Sequence, residues 1–131
     1  AQGAPAETHA AFDHLPNLVA SFDGARPGPH LVLNGHIDVF PPVDDQGWSG
    51  RREGGRLYGR GAADMKAGTA AACIAYAWLK PLAPQLAGRL TLTCVSDEQT
   101  GGKWGTKWLL ETMPERVTVD ALLNGEPSGL N

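Results

Sequence analysis

The segment DMKAGTAAACIAYAWLK, residues 64 to 80, constrains the fold more than any other part of the chain. Its apolar residues at 67, 70, 71, 74, 77 and 78 recur at the three- and four-residue spacing of an amphipathic helix, and Pro81 ends the pattern. Two short apolar runs precede it, PNLVASF (16 to 22) and HLVLNG (30 to 35), read as adjacent strands parted by the turn cluster DGARPGP. Two more follow, GRLTLTCVS (88 to 96), which alternates and is rich in β-branched residues, and VDALLNG (119 to 125). Between those two, GGKWGTKWLLETMP predicts a second helix over residues 102 to 112, with Trp104 and Trp108 four apart on one face. Residues 40 to 60, broken by Pro41, Pro42 and five glycines, read as a surface loop held by a small hairpin at RLYG. Strands alternating with helices predict an α/β sheet covered on its faces.

With 131 residues, 42% of them hydrophobic, the chain can bury one core but not two. The net charge of −3, with both signs mixed along the chain, gives no basic stripe for nucleic acid. No apolar run approaches the roughly 20 residues that cross a bilayer, and no charged-then-apolar leader opens the chain. A soluble, cytoplasmic protein without a membrane or nucleic-acid partner is expected. The opening AQGAPAETHA begins at Ala1 without Met and has no strong period, so the start of the gene product is expected to lie elsewhere. Cys73 and Cys94 fall inside predicted elements, where thiols pack as small hydrophobes, and no disulfide is expected.

The polar residues gather at one end of the predicted strands. His36 with Asp38, Asp97 with Glu98, and Glu126 each follow a strand, and open α/β sheets place their sites at such carboxyl ends. Each residue alone has an ordinary use. A histidine near a strand end is commonly a satisfied structural group, Asp64 can be a first-turn acid at a helix N-terminus, and Glu98 and Glu126 can simply face water. Together, one imidazole and several carboxylates form the donor chemistry of a divalent metal, with zinc on mixed nitrogen and oxygen ligands the best fit. The cysteines are not spaced as ligands, no Ser or Cys sits on a strand-to-helix elbow, and GRGAADMKAG lacks the spacing of nucleotide-binding loops.

Four motifs carry a family resemblance: GHIDVFPP, then Trp48 with GRLYGRGAADMKAG, then SDEQTGGKWGT, then NGEPSG. Their order and spacing resemble the acetylornithine deacetylase, succinyl-diaminopimelate desuccinylase, aminoacylase and carboxypeptidase G family of zinc metallopeptidases. The resemblance implies a three-layer αβα sheet of the zinc-peptidase (phosphorylase/hydrolase-like) type, here incomplete. It implies hydrolysis of an amide bond in N-acyl amino acids or C-terminal peptides, as a deacylase or carboxypeptidase does, on a small-molecule substrate. It assigns His36, Asp64 and Glu126 to the metal, with Asp64 bridging two ions. Asp38 then orients the imidazole and Glu98 is the general base, a division of labour that agrees with how carboxylates position ligand histidines and accept protons from water. It also implies a cis peptide bond after Asp64.

Two departures accompany the resemblance. Gln99 stands where the family has a second glutamate on the other zinc, and a neutral ligand binds a divalent cation more weakly. The family's first helix and strand, its lid and dimerisation domain, and a later histidine that completes the second zinc are absent, so residues 1–131 are expected to form part of a catalytic domain. The family carries two zinc ions, one is the expectation here, and oxygen-rich sites also accept cobalt or manganese. The competing expectation is an inactive fragment or pseudoenzyme that binds one metal or none, with self-association through an uncovered apolar core. Trp48 and Tyr58 are expected either to line the entrance or to pack the loop.

Overall fold

A computed structural model describes residues 6–128, so Ala1–Pro5 of the opening stretch and Gly129 of the last motif lie outside the described residues. Among the described residues seven strands form, β1 (Glu7–Ala10), β2 (Pro16–Asp23), β3 (Arg26–His36), β4 (Arg51–Glu53), β5 (Arg56–Tyr58), β6 (Ala87–Val95) and β7 (Ala121–Asn124). The helices are α1 (Ala67–Leu79), α2 (Thr106–Thr112) and α3 (Pro114–Val117). Five strands make the main sheet in the order β1-β2-β6-β3-β7, and β4 pairs with β5 in the expected hairpin.

β2 and β3 are not neighbours. β6 lies between them, antiparallel to β2 and parallel to β3, while β7 joins the far side of β3 in parallel. The α1 crossover allows this, because it returns the chain to the amino end of the sheet and lets β6 enter beside β3. β1 is an element that the sequence reading lacks. It is four residues long, pairs antiparallel with β2, and its Glu7 receives a two-pronged hydrogen bond from Arg116.

The period-two alternation of the strands divides the core into two layers. Ala20, Phe22, Leu33, Leu90, Leu92 and Cys94 face α1 and pack against Tyr76. Val19 and Val95 face the other way, onto Leu109 of α2, with Trp108, Met113 and Val117 beside them. With α1 on one face and α2 and α3 on the other, the sheet is the middle of an αβα sandwich. Leu109, 1% exposed, contributes on the order of 2 kcal/mol through burial alone.

Two helix expectations are corrected. All six positions of the expected apolar stripe on α1 are exposed, and the inward face is Thr69, Ala72, Cys73, Tyr76 and Leu79. The helix is apolar nearly all round, so periodicity could not single out the buried side, and a threonine and a tyrosine on the inner face masked it. Ile74 and Trp78, 50% and 76% exposed, stand on the outer face. The second helix begins at Thr106, not near residue 102, because Gly101 and Gly102 adopt positive φ and make a turn. Trp104 therefore leaves the helix and meets the Phe12 ring edge-on at 4.8 Å, while Trp108 packs in the core. Cys73 and Cys94 are free thiols 3.9 Å apart across the α1–β6 contact. Among the described residues no helix is long and apolar enough to cross a membrane.

Candidate metal centre

Three parallel strands deliver three side chains to one edge. In register, His36 at the end of β3 pairs with Val95 at the end of β6, and Asn34 pairs with Asn124 at the end of β7. Glu98 and Glu126 leave the sheet just beyond those partners, so residues distant in sequence emerge beside His36.

His36 is buried and held on every side. Its backbone N–H donates to Met65 Sδ at 3.3 Å, and its carbonyl accepts from Thr69 Oγ1 at 3.0 Å. The ring Nδ1 lies 3.1 Å from the Asp38 carbonyl and 3.2 Å from Asp38 Oδ1. The opposite nitrogen, Nε2, faces three carboxylates, Asp64 Oδ1 at 2.9 Å, Glu126 Oε1 at 3.4 Å and Glu98 Oε2 at 3.6 Å. The sequence reading missed Met65 and Thr69. No local pattern signals them, because Met65 lies in non-helical backbone ahead of α1 while Thr69 lies within that helix.

Asp64 reaches the site from a turn, which corrects the expected helix start. The peptide between Asp64 and Met65 is cis, as the resemblance implied, and the backbone at both residues is non-helical, so α1 begins only at Ala67. Asp64 accordingly precedes the helix and is not part of its first turn. The helix start is pressed onto the end of β7: a Cβ on Gly68 would lie 2.1 Å from the Gly125 carbonyl oxygen. That close approach brings Asp64 and Glu126 to the same place.

Asp38 has a second task beyond the imidazole. Its Oδ1 accepts the Glu98 backbone N–H at 3.2 Å and its Oδ2 accepts that of Gln99 at 2.9 Å, so one carboxylate fixes both the ring and the loop carrying Glu98. Asp97, next in chain to Glu98, turns away. Its carboxylate accepts from Thr100 Oγ1 and from the Trp104 N–H, and its backbone sits at φ 71°. It shapes the loop and is not among the groups around His36.

The electrostatics follow from crowding. Burial works against the charged imidazole, yet the hydrogen bond to Asp64 and the charges of Asp38, Glu98 and Glu126 prevail, and His36 titrates above its ordinary value. The His36 contact holds Asp64 below the usual carboxylate range. Burial pushes Glu126 up, and the neighbouring Asp64 and Glu98 charges add to the shift. With Nδ1–H turned to Asp38, a neutral ring aims a lone pair at three anions, an arrangement that only a proton or a cation relieves. His36, Glu98 and Glu126 each offer a donor atom within 4.8 Å of the others, and one imidazole nitrogen with carboxylate oxygens suits a borderline divalent ion. An open cleft of about 520 Å³, lined by Pro42, Gln46, Arg51, Tyr58, Arg60 and Asp64 among others, adjoins the site. Tyr58 thus faces the approach, with the Arg51 guanidinium 4.2 Å above its ring, while Trp48 is exposed in the short turn Asp45–Trp48.

Residues 32–131 match the peptidase family M20/M25/M40. The chain belongs to that family. It is 39% identical over 120 residues to the succinyl-diaminopimelate desuccinylase of Paracoccus denitrificans (strain Pd 1222), a match covering 87% of this chain and 31% of that protein. Among solved structures it resembles the M20 family metallo-carboxypeptidase Sso-CP2 from Sulfolobus solfataricus, with TM-score 0.68, 18% identity, and coverage of 92% of this chain and 28% of the other. It also resembles human carnosine dipeptidase 1, with TM-score 0.67, 19% identity, and coverage of 93% and 29%. The two structural likenesses establish that the M20 sheet and its flanking helices are present here. The chain spans about a third of the length of the curated relatives it matches.

Proposed function

We propose that this M20 chain is the metal-holding part of the catalytic domain of a hydrolase that cleaves the amide bond of an N-acyl amino acid or a C-terminal peptide bond. The observation that carries the reading is His36 Nε2 directed at Asp64, Glu126 and Glu98 at one sheet edge. His36, Asp64 and Glu126 hold the ion, zinc by donor set, with cobalt or manganese also compatible. Such an ion polarises the scissile carbonyl and makes a water molecule easier to deprotonate at neutral pH. Asp38 keeps the imidazole oriented so that Nε2 points at the ion. Glu98, half-exposed and hinged on a loop that Asp38 pins, takes the proton of the attacking water and passes it to the departing amine nitrogen. A cytoplasmic setting fits Cys73 and Cys94, which are kept as thiols at 3.9 Å.

A second reading, ion binding without turnover, draws support from Gln99, a neutral side chain beside Asp64 where an acid would strengthen the metal site. The test loads the purified chain with zinc and follows amine release from a panel of N-acyl amino acids and dipeptides. Release that Glu98→Ala abolishes, with zinc uptake through His36, Asp64 and Glu126 retained, supports the hydrolase. Zinc uptake with no release on any substrate supports the second reading, and a folded chain that takes up no zinc overturns the first.

A further inference from the structure

Gln99 is the feature of the site that the hydrolytic roles leave unused. Its backbone N–H donates to Asp38, and its side-chain nitrogen lies 3.1 Å from Asp64 Oδ2 and 3.1 Å from Glu98 Oε2. A carboxamide has two N–H donors, and here both meet carboxylates. The orientation is fixed by chemistry. With the amide reversed, a carbonyl oxygen would stand at the same distances from two anionic oxygens, tolerable only with a cation between them.

Asp64 therefore faces two ways. Its Oδ1 turns to His36, near Glu126, and its Oδ2 turns to the Gln99 amide, while Glu98 Oε2 stands between the two sides, 3.6 Å from His36 Nε2 and 3.1 Å from the Gln99 nitrogen. On the first side an imidazole and carboxylates fit a divalent ion. On the second side a neutral group offers hydrogen-bond donors, which satisfy the carboxylates but repel a cation. A glutamate at position 99 would instead set another negative charge against Asp64 and Glu98, and that crowding favours an ion.

From this juxtaposition we propose that the chain holds one divalent ion, on the His36 side of Asp64, and that the Gln99 carboxamide occupies the place of a second. The proposal rests on the metal-centre reading above. It is a statement about how the anions of the site are neutralised, one share by an ion and one by two N–H donors.

Calorimetric zinc titration of the native chain, with elemental analysis of the protein after gel filtration, tests it, alongside Gln99→Glu. The native chain is expected to retain one zinc, and Gln99→Glu to bind a further ion about tenfold or more tightly than any second event in the native protein, because added ligand charge raises affinity. A second measurement needs no variant: the Gln99 side-chain NH2 resonances of the zinc-saturated native chain are expected to stay in place and exchange slowly with solvent. Two zinc ions retained by the native chain, equal second-site affinity in both proteins, or Gln99 resonances displaced on saturation would each overturn the proposal. Failure of the native chain to retain any zinc would instead sink the metal-centre reading on which it rests.

Discussion

Gly68 and Gly125 touch backbone to backbone, so closely that a methyl group on Gly68 would lie 2.1 Å from the Gly125 carbonyl oxygen. The contact joins the start of α1 to the end of β7, one residue before Glu126 and four after Asp64. Gly68→Ala is expected to force the two apart, at a cost of roughly 1–3 kcal/mol in stability, typical of overpacking. Because the displaced elements carry Asp64 and Glu126, zinc affinity should fall as well. Thermal melts in EDTA and zinc calorimetry read the two effects separately, and unchanged zinc affinity would show that the contact is structural only.

Asp38 serves the imidazole and the Glu98 loop with the same two oxygens. Asp38→Asn keeps one acceptor and loses the charge, and zinc affinity is expected to drop by about 10–100-fold, as for other groups that orient a ligand histidine. Calorimetry at fixed pH measures it. A drop below twofold would separate Asp38 from the metal centre.

Asp97 supplies a pH dependence. Its hydrogen bonds from Thr100 and the Trp104 N–H hold its carboxyl below the ordinary range in the folded chain. The unfolded chain then binds more protons as acid is added, so the stabilisation is fully present above the unfolded value of about 3.9 and is lost as pH falls through the lower folded value. Asp97→Asn, which tolerates the positive φ, should be less stable than the native chain at neutral pH, and the gap should close on acidification. Urea titrations of both proteins across that range, in EDTA, give the comparison. A gap that stays constant to low pH would contradict it.

The two sides of α1 make opposite predictions. Tyr76 packs against Phe22 with ring centroids 5.3 Å apart, and Tyr76→Ala should cost about 3–5 kcal/mol as other buried aromatic truncations do. Trp78 is 76% exposed, and Trp78→Ala should fall within about 0.5 kcal/mol. Chemical denaturation of the two variants distinguishes the faces. The reverse ranking would mean that the periodic stripe is the buried one.

Much of this architecture is legible in the sequence. β2, β3, β6 and β7 announced themselves through short apolar runs ending at turn residues, β6 with β-branched alternation besides, and the ends of three of them marked the place where chemistry collects. The residues assigned through the family motifs, His36, Asp38, Asp64, Glu98 and Glu126, do lie together, although their separate roles rest on the proposal. What was hidden depended on long-range pairing. Nothing local tells that β6 inserts between β2 and β3, or that a four-residue β1 joins the edge by pairing with β2. The inward side of α1 was hidden for a different reason: the large hydrophobic side chains Ile74 and Trp78 face outward, while Thr69 and Tyr76 on the inner face carry hydroxyls. The turn at Gly101 and Gly102 removed Trp104 from its expected helix, and the signal was there in the paired glycines.

Within the described sheet β7 bonds to β3 alone, yet it delivers Glu126. β3, α1 and β6 precede that strand in the sequence, and without it the proposed ligand set is short of a member. An ion held by the proposed ligand set would clasp β7 to β3 through Glu126 and His36. Chelation should then loosen β7, bonded to β3 alone among the described residues, before the strands it does not touch.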